Sequence, residues 1–183
     1  MKGYFKLEDN YIENEVIDFN KKRYVFTFNI ASIAIAFAIF FIFRVQSCPI
    51  FTVSSIIFII AGYFFLVIIH ELIHALFIWI FSRKKAHFKF SLIYASAGAS
   101  DRYFDRSSYI VIALAPVIII SLFLSILINY SSPDLYNGIL LVLALNISSA
   151  IGDFYISFIT ATKEKGTLVR DEGEIMHFYT KTT

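Results

Sequence analysis

The chain has 183 residues, 58% of them hydrophobic and only 16% charged, with a mean hydropathy of +0.70. A soluble domain carries about 25% charged residues, and 21 phenylalanines are more apolar bulk than one small core can hold, so the composition argues against a soluble protein. Sixteen Lys and Arg against 14 Asp and Glu leave a net charge of +2, which gives no nucleic-acid footprint, and Cys48 stands alone with no intramolecular disulfide partner.

In chain order, residues 1 to 23 mix aromatic residues with Glu8, Asp9, Glu13, Glu15 and Asp18 and end in Lys21, Lys22 and Arg23. They read as a solvated segment closed by a membrane stop, too acidic for a secretory leader, so the first apolar stretch is expected as a retained anchor. Four stretches meet the length of about 20 apolar residues that a helical span needs: 25 to 43, 50 to 81, 109 to 128 and 137 to 161. The second would be about 48 Å long as a helix, too short for two spans and a turn, and is expected as one long helix. After it, Phe88 to Leu92 alternate with period two before the small residues Ala95 to Ser100, which predicts a short strand. Ala113-Leu114-Ala115-Pro116 predicts a kink in the third span, its small residues packing on a neighbour. In the tail, Asp171-Glu172-Gly173 separates two apolar runs between Leu168 and Tyr179 and predicts a hairpin. The expected fold class is an all-α integral membrane protein, a single domain over residues 1–183. It has four transmembrane helices, with short strand-like segments only in the loop and tail.

Orientation follows from the cations. Outside the spans, five Lys and Arg precede residue 25, six lie between 82 and 108 and four follow 161, whereas the 44 to 49 turn holds only Arg44 and the 129 to 136 turn none. The positive-inside rule then puts both termini and the 82 to 108 loop in the cytoplasm, and the second and fourth spans run parallel.

Of 30 charged residues, 28 lie outside these spans; the exceptions are Glu71 and Asp153, and His70 and His74 are also inside. An ionisable group at the bilayer centre costs about 2.5–3.5 kcal/mol on insertion scales, so such groups pair, face the interior and mark function. His70-Glu71-Leu72-Ile73-His74 is an HExxH run: residues four apart share a helical face, so both imidazoles can reach one Zn²⁺, while Glu71, about 100° round, can address a water beside it. Catalytic zinc sites take three protein ligands and leave one position open. Asp153 is the candidate third metal ligand, because it lies about 15 Å before the cytoplasmic end of its span and the HExxH run lies about 16 Å before the end of a parallel one. Asn146 and Ser149, seven and four residues earlier, fall on roughly the same face. They are candidates either to orient Asp153, to bind a substrate backbone, or to serve as packing glue. His87 and His177 lie outside the motif and are not expected to ligate.

Those residues also carry a resemblance. The run HELIHALF from His70 to Phe77, ALAP from Ala113 to Pro116, an Asn followed by Gly152-Asp153, and the tail LVRDEGEIMHFY resemble the zincin peptidases, a family of short bacterial integral-membrane proteins, from about residue 50 onward. A more distant likeness is to site-2-type intramembrane metalloproteases, which pair HExxH with an Asp on a later helix, although Gly152 here precedes the Asp where that group has a Gly after it. The resemblance implies His70, Glu71 and His74 as site residues, Asp153 as the later acidic position, and a bacterial cell membrane as the location.

The expected activity is hydrolysis of peptide bonds, in a peptide or transmembrane-segment substrate, within or near the cytoplasmic half of the membrane. One Zn²⁺ is held by His70, His74 and Asp153, and Glu71 is the catalytic base. The alternative is a non-catalytic metal-binding membrane protein with a regulatory or interaction role, which would need a closed coordination sphere.

Overall fold

The computed structural model describes residues 3–4, 7–42, 53–90, 95–131 and 133–182. The turn holding Arg44 and Cys48, and Leu92 at the end of the expected loop strand, lie outside the described residues. The first three apolar stretches each form one helix: α1 (Lys22–Ile42), α2 (Val53–Ser82) and α3 (Arg106–Asn129). Segments of 18, 24 and 24 residues within them are long and apolar enough to cross a membrane. Asp105 opens α3 as an N-cap, its carboxylate accepting from Ser108 N at 2.9 Å, which satisfies one of the amides a helix start leaves unpaired.

The fourth stretch departs from expectation. It forms two helices, α4 (Pro133–Ser149) and α5 (Ile151–Thr162), bent by 41° at Ala150; together they qualify as a fourth, broken span or as a re-entrant loop. The physical reason is the run Ser148-Ser149-Ala150-Ile151-Gly152. Both serine hydroxyls turn back onto their own helix, to Leu145 O and Asn146 O at 3.2 and 3.3 Å, where they compete with the backbone ladder, and Gly152 has weak helix propensity. Asp153 therefore sits in the first turn of α5 and not in mid-helix.

The all-α expectation is corrected by two sheets. Strands β1 (Gly3–Tyr4), β2 (Tyr11–Asp18), β5 (Tyr103–Asp105), β6 (Leu168–Asp171) and β7 (Ile175–Lys181) form an antiparallel sheet in the order β1-β5-β6-β7-β2, and β3 (His87–Phe90) pairs with β4 (Ala95–Gly98). The N-terminal segment read as merely solvated is the edge strand β2. Its pairing is non-local, Ile17 opposite Met176, and no local pattern announces such a partner. The tail hairpin is present as β6 and β7, and β3 with β4 covers the described part of the expected loop strand.

Two cores organise the chain. Leu66, Ile120, Leu124, Ile139, Val142 and Leu143 join α2, α3 and α4. Ile17, Ile78, Phe104, Tyr109, Ile156, Val169 and Phe178 join the larger sheet to the end of α2, the start of α3 and α5. A cluster of Phe19, Tyr24, Phe28 and Tyr155, with ring centroids 5.4–6.2 Å apart, fastens the start of α1 to α5.

The smaller sheet is clamped to the tail hairpin. Ala99 N donates to Asp171 O at 2.8 Å, and a Cβ on Gly98 would lie 2.6 Å from Gly173 N, so only glycine permits this approach. Gly98→Ala is expected to push the tail hairpin off β4 and destabilise the protein by about 1–3 kcal/mol. Limited proteolysis should then cut the 171–174 turn faster than in the wild type; an unchanged cleavage rate would show that the clamp is slack.

Candidate metal centre

Four residues at intervals of four along α2, Leu66, His70, His74 and Ile78, are its buried stripe, with exposures of 5, 8, 9 and 1%. The two imidazoles thus occupy the face that an apolar helix would fill with leucine, between the two cores. A buried imidazole must find partners for both nitrogens. For His74 the first partner is supplied by α3: Nδ1–H donates to the Ile112 carbonyl at 2.9 Å. That carbonyl is free to accept because the residue four places on is Pro116, which has no N–H to close the helical bond. The ALAP run, read from sequence as a kink, thereby has a second role: it opens a backbone acceptor at the height of the motif.

With Nδ1 donating to Ile112, the other ring nitrogen, Nε2, faces Asp153 Oδ1 at 3.6 Å. His70 Nε2 lies 3.1 Å from Asp153 Oδ2. A proton or a metal cation between these nitrogens and the carboxylate satisfies the contact. A tetrahedral cation with bonds of about 2.1 Å spaces its ligand atoms about 3.4 Å apart, and both His–Asp separations lie close to this value. His70, Glu71 and His74 form a compact set, one ligand atom from each lying within 4.8 Å of the others, and Asp153 faces its two histidines. The backbone amide of Ala97 in β4 is aimed at the Glu71 carboxylate. The donor set fits a zinc ion, with two imidazoles on α2 facing one carboxylate on α5 and a second carboxylate at their side.

Asn146 and Ser149 are directed elsewhere. Asn146 is fully buried and donates from Nδ2 to Ser121 Oγ at 3.0 Å and Val117 O at 3.3 Å, bracing α4 against α3, and exposed Ser149 bonds within its own helix. The break at Ala150 removes the helical phase on which their alignment with Asp153 relied. His177 bonds Glu13 and lies 3.4 Å from Glu172, across the larger sheet, and His87 sits exposed in β3.

Sequence reasoning missed Asp171. Its carboxylate accepts from Tyr109 OH at 3.0 Å and Gly173 N at 2.6 Å, while its carbonyl holds Ala99 next to β4. Tyr109 stands one turn before Ile112, so Asp171 connects the strand beside Glu71 to the helix that holds His74. The only sequence signal was an acid ahead of a glycine in a turn, which is common chemistry for turns and marks nothing by itself. Burial pushes the Asp171 carboxyl up to about 6, against the two hydrogen bonds, which pull it down.

Two HExxH histidines on the buried face of an apolar helix, with a further carboxylate facing both, are a donor arrangement suited to a metal-dependent enzyme. The chain belongs to the family described as "Putative zincin peptidase", which matches residues 63–168, more than half of its length, from within α2 to the start of β6. No curated protein and no solved structure matches it.

Two outcomes are expected from this geometry. Pro116→Ala restores an amide that competes for the Ile112 carbonyl, and zinc affinity should fall about 10–100-fold with α3 intact, measured by chelator competition. Unchanged affinity would mean that the freed carbonyl does not orient His74. For Asp171, a carboxyl raised from 3.8 to about 6 binds its proton more tightly in the folded state. Its contribution to stability is therefore full below about pH 4, declines as pH rises toward 6 and is level above, a change on the order of 3 kcal/mol. Unfolding of metal-free protein between pH 4 and 7 should show this slope, and Asp171→Asn should flatten it.

Proposed function

We propose that the protein is a membrane-embedded zinc metallopeptidase that hydrolyses peptide bonds within or near the cytoplasmic half of the bilayer. The observation that carries this reading is the approach of Asp153 to His70 and His74, at 3.1 and 3.6 Å, with Glu71 grouped with the same two histidines. His70, His74 and Asp153 would hold one zinc ion, which when bound supplies Lewis acidity toward the scissile carbonyl and toward water. Glu71 takes the proton from the attacking water and delivers it to the leaving amine nitrogen, so the base of the first step is the acid of the second. The Ala97 amide steadies the Glu71 carboxylate for both.

The cation distribution supports cytoplasmic termini and a cytoplasmic 82 to 108 loop, which puts both sheets and the water supply on that side. The substrate is a peptide or a transmembrane segment; a helical segment must unwind before its carbonyls are open to attack, because each is bonded within the helix. Membership of the zincin peptidase family supports the reaction class, and three to four spanning helices support the location.

The test is metal content and turnover measured on one set of variants in detergent. Wild type should carry close to one zinc per chain, and His74→Ala and Asp153→Ala should lose it. Glu71→Gln should keep the metal while turnover falls by about 10²–10⁴. Wild type that folds without metal, or Glu71→Gln that still turns over, would overturn the assignment.

A further inference from the structure

The face of α2 turned away from His70 and His74 is also built for binding. Leu72, Leu76 and Trp79 are about half exposed, at 50, 49 and 47%, and with Arg83 they follow one another at intervals of four, three and four, a single stripe along the helix. The stripe ends at a cavity of about 480 Å³ lined by Trp79, Arg83, Lys84, Lys85, His87 and Asp101. Asp101 is the acid in that lining, and its carboxylate is already engaged by Arg102 at 3.1 Å, so the cations give the cavity a positive field.

Arg83 adds an independent observation. It follows the last residue of α2 with φ of 57°, the left-handed position that glycine fills at low cost, and is the non-glycine residue with positive φ among the described residues. A side chain is kept there against backbone strain, and its guanidinium lies 5.6 Å over the Trp79 ring. A tryptophan under an arginine at the end of a membrane span is the arrangement of an interfacial anchor.

We propose that this place is a binding site for an anionic phospholipid: the headgroup phosphate enters the basic cavity and one acyl chain lies along Leu72 and Leu76. A soluble phosphate would use the cations and leave the apolar stripe idle, whereas a phospholipid uses both halves. The inference rests on α2 spanning a membrane and is independent of hydrolysis. It places a lipid on the back of the helix that carries the metal motif.

The experiment is native mass spectrometry of the full chain in nonionic detergent, titrated with phosphatidylglycerol, phosphatidylcholine or glycerol 1-phosphate. Phosphatidylglycerol should bind and the other two should not. Arg83→Gly should weaken binding about fivefold or more while the lipid-free melting temperature stays level or rises, since glycine suits that backbone, and Lys85→Gln should weaken it similarly. Zinc content in both variants should match wild type, which separates this site from the metal centre. Equal binding of phosphatidylcholine, equal occupancy by glycerol 1-phosphate, or wild-type affinity in both variants would each overturn the proposal.

Discussion

The hydrogen bond from His74 Nδ1 to the Ile112 carbonyl is the contact on which the site depends. It exists because Pro116 leaves that carbonyl without its helical donor, and it decides three things at once: which nitrogen of His74 is the lone pair, how the ring is turned, and at what height α3 meets α2. Without it, the nearest group to satisfy that nitrogen would have to come from an apolar bundle that has few to offer. A local defect in one helix has thus become the means of orienting a candidate ligand on another. The same economy appears on α4, where buried Asn146 reaches Val117 O and Ser121 on α3.

Much of this architecture could be read directly from the residues. The three uninterrupted apolar stretches became α1, α2 and α3, because length and hydropathy decide whether a helix can sit in a bilayer and both are local properties. The HExxH run was legible for a different reason: ionisable side chains in an otherwise apolar helix stand out against their surroundings. Matching depths on parallel helices also named Asp153, and the structure places it against both imidazoles even though the helix carrying it is broken.

What escaped the sequence was non-local or depended on competition between weak effects. The five-stranded sheet gathers strands from residues 3–18, 103–105 and 168–181, and a strand such as Tyr11–Asp18, mostly exposed and rich in acids, has no period that separates it from a solvated segment. The break at Ala150 is the sum of two serines and a glycine, none of which would stop a helix alone. Asp171 looked like a turn residue because it closes β6 beside a turn; its hydrogen bond to Tyr109 arises only when the tail folds back onto α3. The role of Pro116 needed His74 to be placed four residues' height along a neighbouring helix, which no linear pattern expresses.

The break between α4 and α5 divides the candidate site between two cores. α4 packs with Leu66, Ile120 and Leu124, while Ile156 of α5 belongs with the strands and the start of α3. Asp153 stands just past the junction and so travels with the second group, although the histidines it faces lie on the continuous helix that links both. The candidate metal site thus joins two packing clusters, one among α2, α3 and α4 and one that draws in the strands. Because Asp153 sits on α5 and the histidines on α2, the strands packed against α5 help to set the gap between the carboxylate and the imidazole pair.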